Sequence, residues 1–277
     1  MSKFIPTTLS IAGVDPSGGA GVLADIKAMS AVGAYGTGVV TALTAQSTQG
    51  VMGIYPIDLA FIKQQIDVLF DDVRIDAVKI GMLGQEPVIY TVVDCLSRWQ
   101  PPHLVVDPVM VAKSGDHLLE KAATAAIREA MLPLATVITP NLPEAGVLLD
   151  MRPAETIKEM YGVAEKLRRL LADQDDRWVF LKGGHLPGSE CTDLLYNGDQ
   201  MIEMPAHRIH TKNTHGTGCT LSAALAGLLP QTEDTVQAAK IAKEYLYKAI
   251  ARSGDLAVGS GHGPVNHFHQ WWKPTVA

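Results

Sequence analysis

The sequence has few cysteines, no cluster of basic residues and no long apolar run. Its three cysteines, Cys95, Cys191 and Cys219, are odd in number and far apart, which favours a reducing compartment over a disulfide framework. The lack of a Lys/Arg block argues against a nucleic-acid partner. No segment reaches the ~20 apolar residues of a membrane span, and residues 1–6 lack the apolar core of a signal peptide. We therefore expect a soluble cytoplasmic protein.

The composition provides enough apolar residues for a large core. Of the 277 residues, 47% are hydrophobic and 19% are charged, and the net charge is -6. These values fit one large α/β domain or two small ones. Because the sequence has no repeat, low-complexity stretch or obvious linker, we predict a single domain spanning 1–277.

Short β-branched or apolar runs alternate with helical patterns along the chain. The predicted strands lie at 7–12, 36–45, 51–55, 77–80, 104–106, 136–139 and 178–181. The predicted helices lie near 20–32, 58–70, 86–98, 118–131, 142–149, 155–172, 218–229 and 233–252. This alternation predicts an α/β fold with a mainly parallel central sheet and helices on both faces. Asn197 and Gly198 predict the turn of a small β-hairpin.

Polar or glycine-rich groups follow most of the predicted strands. They are 13–15, Gln46, 81–82, 107–109, 141–144 and 182–185. In an open parallel sheet, ligands bind beyond the carboxyl ends of the strands, which meet at one edge. These groups therefore predict a ligand site at that edge.

The glycine-rich stretch 213–220 is the strongest candidate for an anion site. Gly216 and Gly218 are expected to allow positive φ angles and close approach of the backbone to a ligand. The helix that follows presents free N–H groups and the positive end of its dipole, which suit an anion. Cys219 begins this helix, where a thiol is expected to be acidified. The alternative is a glycine-rich turn before a buried helix, with Cys219 as a core residue.

Taken in order, these motifs resemble the ribokinase-like vitamin kinases, and most closely the hydroxymethylpyrimidine/phosphomethylpyrimidine kinases of thiamin biosynthesis. The residues that carry the resemblance are 11–21, 79–83, 107–110, 139–145, 182–185, 213–220 and 263–269. The resemblance implies a ribokinase-like fold and ATP-dependent phosphorylation of 4-amino-5-hydroxymethyl-2-methylpyrimidine, and then of its monophosphate to the diphosphate. It also implies ATP and Mg²⁺ as cofactors, a small-molecule substrate and a homodimer.

The resemblance assigns roles around the glycine-rich stretch. Gly216 and Gly218 would form the anion hole, and Cys219 would accept the proton of the hydroxymethyl group. Relatives such as pyridoxal kinases have Asp at the position of Cys219, whereas Cys is typical of the pyrimidine kinases. The phosphate group that accepts the second phosphoryl group is already ionised near neutral pH, since its second pKa is ~6. We therefore expect the second step to need no base.

Two further sets of residues would bind the nucleotide and the acceptor. Lys182, with Asn141 and Thr214, would bind nucleotide phosphates, and Asp107 and Glu144 would hold Mg²⁺ mainly through water. Gln46 would recognise the aminopyrimidine, since its amide offers both a donor and an acceptor. The other predicted acceptor-binding residues are Asp25, Met82, Gly13 and Val109. Ordinary structural roles remain open for several of them: Lys182 as a strand-end residue, Asp107 as a turn residue before proline, Glu144 as a first-turn helix acid, Asp25 as a surface acid and Met82 as core.

Three other functions remain open from the sequence. Pyridoxal or pyridoxine kinase activity, as main or side activity, needs only the same fold and reaction. A cysteine hydrolase would pair Cys219 with His215 or His185, and a non-catalytic sensor would bind ATP or a vitamin without turnover. The histidines at 262, 267 and 269 have no familiar zinc spacing, so we expect solvated or packing roles. Lys113 is expected to be solvated in a mobile loop at 112–115.

Overall fold

A single sheet organises the molecule, which we describe from a computed structural model covering residues 4–110, 121–174 and 176–273. Within these residues, nine strands are ordered β3-β2-β1-β4-β5-β6-β7-β8-β9. Their bounds are Thr7–Val14 (β1), Tyr35–Ser47 (β2), Gly50–Pro56 (β3), Ala77–Ile80 (β4), Leu104–Val106 (β5), Val137–Ile138 (β6), Trp178–Leu181 (β7), Asp193–Tyr196 (β8) and Met201–Met204 (β9). The six strands from β2 to β7 along the sheet are parallel, and β3, β8 and β9 are antiparallel to their neighbours.

Helices cover both faces of this sheet. Their bounds are Gly21–Ala31 (α1), Leu59–Asp72 (α2), Glu86–Trp99 (α3), Lys121–Ala126 (α4), Leu142–Leu149 (α5), Ile157–Arg168 (α6), Thr217–Leu228 (α7) and Thr235–Ala251 (α8). Apolar residues of α2 to α6 pack into one core, and those of α1, α7 and α8 pack into a second core.

Successive side chains along a strand enter the two cores in turn. In β7, Val179 and Leu181 enter the core under α2 to α6, whereas Trp178 and Phe180 enter the core under α1, α7 and α8. Strands buried on both faces read as continuous apolar runs, which explains why they were predictable. The predicted hairpin is also present: β8 and β9 flank the turn, where Gly198 has a φ of 111°.

Several predicted boundaries differ from the structure. The predicted strand 136–139 pairs only over Val137–Ile138, and the predicted helix 155–172 ends at Arg168. The predicted helix 118–131 changes after α4 into a π-helical turn, Ile127–Met131, followed by a 3₁₀ turn. Pro133 lies in that 3₁₀ turn, and a proline there cannot continue α-helical hydrogen bonding because it has no N–H. Lys113 and the loop 112–115 lie outside the described residues.

Candidate active site

A cavity of about 450 Å³ lies at the carboxyl edge of the parallel strands. Its lining comes from the ends of β1, β2, β5 and β7 and from the N-terminal turns of α1, α5 and α7. Every residue predicted for the site lines this cavity except Asp25. They are Gly13, Gln46, Met82, Asp107, Val109, Asn141, Glu144, Lys182, Thr214, Gly216, Gly218 and Cys219. Residues spread over the whole chain therefore meet at one edge of the sheet.

The glycine-rich turn begins α7, as its sequence suggested. Gly216 is the N-cap residue with a φ of 73°, and a Cβ there would overlap the carbonyl oxygen of Gly19. Thr217, Gly218 and Cys219 follow in the first turn, whose N–H groups have no partner within a helix. The expectation of a positive φ is confirmed for Gly216 and wrong for Gly218. The lack of a side chain at Gly218 instead allows charged groups to lie close to the backbone of this turn.

The close approach at Gly218 brings the turn against charged side chains. A Cβ on Gly218 would lie 3.3 Å from Lys182 Nζ and 3.4 Å from Asp107 Oδ2. The positive end of α7 is thus adjacent to a lysine and a carboxylate. This arrangement suits a ligand that carries both anionic oxygens and a bound cation.

Cys219 does not have the acidified thiol that we expected at a helix N-terminus. Burial raises the pKa of Cys219 to about 11, although the Lys79 ammonium opposes this rise. The helix terminus therefore does not compensate for the loss of solvent around the sulfur. In this state of the protein, the thiol keeps its proton near neutral pH.

Lys182 and Asp107 form the charged centre of the cavity. Lys182 Nζ lies 3.0 Å from Asp107 Oδ1 and 3.8 Å from Glu144 Oε2. Thr139 donates a second hydrogen bond to Asp107 Oδ1, and the Ser222 hydroxyl lies 3.3 Å from Asp107 Oδ2 and 3.0 Å from the backbone oxygen of Gly218. Burial alone would raise the pKa of Asp107, but Lys182 and Lys79 hold it below its ordinary value. Asp107 is therefore ionised and fixed in orientation.

Glu144 takes part in a helix cap, and its carboxyl group has a raised pKa. Its Oε2 accepts a hydrogen bond from the Asn141 N–H, and Asn141 Oδ1 accepts one from the Glu144 N–H, which makes a capping box at the start of α5. Burial raises the pKa of Glu144 to about 7, while Lys182 opposes this and Asp107 adds to it. A nearby cation would thus favour the carboxylate form.

Gln46, Met82 and Gly13, which we predicted to bind the acceptor, line the same cavity. Gly13 donates a backbone hydrogen bond to Met82 O at 3.2 Å, and a Cβ on Gly13 would lie 2.6 Å from Met82 Cε. The terminal methyl group of Met82 therefore packs against the backbone of Gly13. Gln46 is partly exposed near the end of β2, where its side chain contacts Thr44.

Asp25 is located differently from our expectation. It lies on α1 beneath the cavity, fully buried, and both of its carboxylate oxygens bond to Lys79 Nζ at 2.9 and 2.8 Å. Ser10 donates a further hydrogen bond of 2.6 Å to Asp25 Oδ2. Although burial lowers the pKa of Lys79, the Asp25 carboxylate outweighs it and holds that pKa above its ordinary value. Asp25 supports the site from below and does not line it, and it is not the surface acid of the alternative.

Comparison with known proteins agrees with this geometry. The sequence matches the family described as phosphomethylpyrimidine kinase over residues 15–266. The chain belongs to the phosphomethylpyrimidine kinase family. It is 50% identical to the hydroxymethylpyrimidine/phosphomethylpyrimidine kinase of Escherichia coli (strain K12), over 95% of this chain and 98% of that protein.

Solved structures of related kinases have the same fold. An ADP complex of Bacillus subtilis pyridoxal kinase is 34% identical, with a TM-score of 0.87 over 96% of this chain and 99% of that one. The phosphomethylpyrimidine kinase of Clostridium difficile 630 is 38% identical, with a TM-score of 0.77 over 89% of this chain and 100% of that one. The ribokinase-like fold is therefore confirmed for this family member.

Sequence reasoning missed a hydrogen bond that holds together two of the loops that line the cavity. Asp15 Oδ2 lies 2.7 Å from His215 Nε2, and Asp15 also accepts hydrogen bonds from the backbone N–H groups of Ser17 and Ala20. Burial alone would raise the pKa of Asp15, but the hydrogen bonds from His215 and Ser17 bring it below its ordinary value. The sequence did contain a signal for a role of Asp15, since this residue directly follows β1 within the first motif, 11–21.

The tail of this family member packs against the same loops. The His215 N–H bonds to Gly263 O, and the His262 N–H bonds to Thr48 O, two residues beyond Gln46. His267 Nε2 lies 3.1 Å from Thr220 Oγ1 inside the second core. The tail thus spans from the end of β2 near Gln46 to the turn before α7.

Within the described residues, no group of His, Cys, Asp and Glu has the arrangement of a metal site, and no helix is long and apolar enough to cross a membrane.

Proposed function

We propose that the protein transfers the terminal phosphoryl group of ATP to a hydroxymethylpyrimidine and then phosphorylates the resulting monophosphate, as a step of thiamin biosynthesis. One observation supports this most strongly. A single cavity contains the N-terminal turn of α7, the Lys182–Asp107 pair and the Gln46 amide. Phosphoryl transfer depends mainly on positioning and on charge stabilisation, and these three elements provide both.

The nucleotide phosphates would bind at the turn and at Lys182. The first N–H groups of α7 would bind phosphate oxygens, and Gly218 lets Lys182 come close to that turn with its positive charge. Thr214 and Asn141 line the same part of the cavity. The Asn141 side-chain oxygen is engaged in the capping box, so its amide N–H₂ is the group left for a phosphate.

Asp107 and Glu144 have the donor chemistry that Mg²⁺ requires. This ion binds oxygen ligands, commonly one or two carboxylates together with substrate phosphates and water. Both carboxylates are close to Lys182, so a nucleotide held there would bring its phosphates to them. When bound, Mg²⁺ supplies charge neutralisation between phosphate oxygens. Asp107 is the better oriented ligand, because Lys182 and Thr139 both donate hydrogen bonds to its Oδ1.

Cys219 would accept the proton that the hydroxymethyl group loses. Its thiol faces the cavity in the first turn of α7, and Lys79 is the first of the groups that lower its pKa. Because the transition state of phosphoryl transfer is loose, the alcohol loses its proton late and a strong base is not needed. In the second step the acceptor is a phosphate oxygen that is already ionised, so Cys219 is dispensable there.

Pyridoxal kinase activity is the second candidate function, and the similarity to a solved pyridoxal kinase structure supports it. The pyridoxal kinase of Bacillus subtilis shares the fold over 96% of this chain. Cys219 and Gln46 favour the aminopyrimidine as the main acceptor, with pyridoxal as a side substrate. Kinase family membership speaks against the cysteine hydrolase, which would leave Lys182 and Asp107 without a role, and against the sensor.

ADP release with a panel of vitamin alcohols tests this function. We expect turnover with the aminopyrimidine alcohol, in the presence of Mg²⁺ and not after its removal by a chelator. At completion, each acceptor molecule should yield two ADP, because both phosphorylations consume ATP. A kcat/KM that is higher for pyridoxal would make pyridoxal kinase the main activity. No ADP release with any alcohol would refute both candidates.

Three broader features belong to the same proposal. We propose one kinase domain spanning 1–277, supported by the continuous sheet, and a cytoplasmic protein, supported by three free thiols. We also propose a homodimer formed along β3. This strand is at the edge of the sheet and exposes 88% of Met52, 51% of Ile54 and 71% of Tyr55. An exposed apolar edge strand is a surface that proteins ordinarily cover.

A further inference from the structure

The orientation of the Gln46 amide is set by a neighbour that has no role in the site so far. Thr44 and Gln46 both line the cavity from β2. The Thr44 hydroxyl lies 2.8 Å from the backbone oxygen of Val14 and 3.2 Å from the amide end of Gln46, at the atom placed as Oε1. The oxygen and nitrogen of a glutamine amide are assigned by their hydrogen bonds, so the chemistry of this contact decides which atom is there.

A hydroxyl group has only one proton to donate. The carbonyl oxygen of Val14 can only accept, and the 2.8 Å distance is typical of an O–H···O bond, so the proton of Thr44 lies on that contact. The hydroxyl oxygen then faces Gln46 with its lone pairs. An amide oxygen at 3.2 Å would be a second acceptor facing the first, whereas an amide nitrogen would donate to it.

We propose that Thr44 is a positioning residue that fixes the amide of Gln46 with its nitrogen towards Thr44 and its oxygen towards the bound acceptor. The Gln46 oxygen then accepts from the exocyclic amine of an aminopyrimidine, and the second N–H of Gln46 donates to the adjacent ring nitrogen. The inference rests on the proposed function. The inference adds an explanation for selectivity between an aminopyrimidine and its oxo counterpart. In the oxo counterpart, the exocyclic group accepts a hydrogen bond and the adjacent ring nitrogen donates one, which is the reverse of the amino compound.

The strand geometry supports this role. The register between β2 and β3 shifts at this point, because Ala45 pairs with Gly53 whereas Gln46 pairs with Val51. Such irregularities next to a site re-aim a side chain. Val14, which accepts from Thr44, is the last residue of β1 and also lines the cavity. Thr44 therefore ties the Gln46 amide to the end of the neighbouring strand.

Substitution of Thr44 tests the inference with two acceptors. Thr44→Val keeps the shape and removes the hydroxyl, and Thr44→Ser keeps the hydroxyl and removes the methyl. We compare kcat/KM for 4-amino-5-hydroxymethyl-2-methylpyrimidine with that for the 4-oxo analogue. In Thr44→Val the ratio of amino to oxo should fall about tenfold, because the amide is free to reverse and one directed hydrogen bond is lost. The kcat/KM for the oxo analogue should rise in absolute terms.

The rise on the oxo analogue is the readout that a merely structural role would not produce. Thr44→Ser should keep a ratio within about twofold of the wild type, since its hydroxyl retains the directing bond. Thermal unfolding of both variants shows whether they are folded. A wild-type ratio in Thr44→Val, or an equal fall in Thr44→Ser, overturns the inference alone. A wild-type enzyme that does not phosphorylate the amino compound overturns the proposed function as well.

Discussion

In the proposed reaction, Cys219 would link the chemistry of the acceptor to the helix terminus that would bind phosphate. Its thiol is protonated near neutral pH because burial raises its pKa to about 11. To take up the proton of the alcohol, Cys219 must first release its own proton to solvent, and the Lys79 ammonium, which lowers the pKa of the thiol, favours that release. In the proposed reaction, the contribution of Cys219 is therefore specific to an alcohol acceptor.

Cys219→Ala should separate the two phosphorylations. The first step should slow by about 10²- to 10⁴-fold, the range of general acid–base assistance. The second step should change by less than about tenfold, because a phosphate oxygen with a pKa of ~6 carries no proton to remove. Single-turnover measurements on the alcohol and on its monophosphate give both rates. Equal losses in the two steps would contradict this role, and unfolding midpoints control for damage to α7.

The sequence identified most of the cavity because its residues follow strand ends, which is a pattern that one-dimensional reading can detect. It could not identify Lys79 or the protonation of Cys219. Lys79 lies inside an apolar strand, and only the arrival of Asp25 from α1 makes its burial tolerable. The pKa of Cys219 depends on how much solvent the surrounding loops exclude, which no local pattern reports.

The Lys79–Asp25 pair joins β4 to α1 beneath the active site. Both side chains are fully buried, and Ser10 of β1 completes the hydrogen bonding of the carboxylate. A buried pair loses little when both charges are removed together, whereas removal of one leaves an isolated charge in the core. This asymmetry separates electrostatic from packing effects.

Lys79→Met should lower the free energy of unfolding by about 3–5 kcal/mol. The double variant Asp25→Asn with Lys79→Met should recover most of that loss, because no uncompensated charge remains. Lys248→Met is the matched control, since Lys248 pairs with Glu244 on the surface of α8, and it should cost less than about 1 kcal/mol. Urea unfolding gives all the values. A double variant as unstable as Lys79→Met alone would show that packing of the lysine stem, and not its charge, is decisive.

Elements with a strong pattern were predicted well, and their ends less well. Strands such as β4 and β7 are buried on both faces and therefore have uninterrupted apolar sequences. The π-helical turn Ile127–Met131 was not predictable, because its sequence retains an ordinary helical pattern and the change arises where the chain approaches Pro133. The length of β6 is set by pairing with β5 and β7, which a single segment does not encode.

Among the strands that the structure describes, none pairs with the outer side of β3, and apolar side chains of this strand are exposed. If two copies associate there, charge on that strand should separate them. Met52→Lys combined with Tyr55→Lys should convert a dimer to a monomer, measured by light scattering after size-exclusion chromatography. Tyr90→Lys, which places the same charge on an exposed position of α3, should remain dimeric. A wild-type protein that is monomeric at micromolar concentration would contradict the proposed dimer.

The contact between Asp15 and His215 has a consequence for when the cavity is completed during synthesis of the chain. These two residues are 200 positions apart, and Gly19 and Gly216 interlock beside them. A nascent chain that has emerged from the ribosome only as far as β9 contains all nine described strands of the sheet but lacks residues 214–219, which line the cavity. The cavity is therefore completed only when the last quarter of the chain brings His215 to Asp15 in the loop after β1.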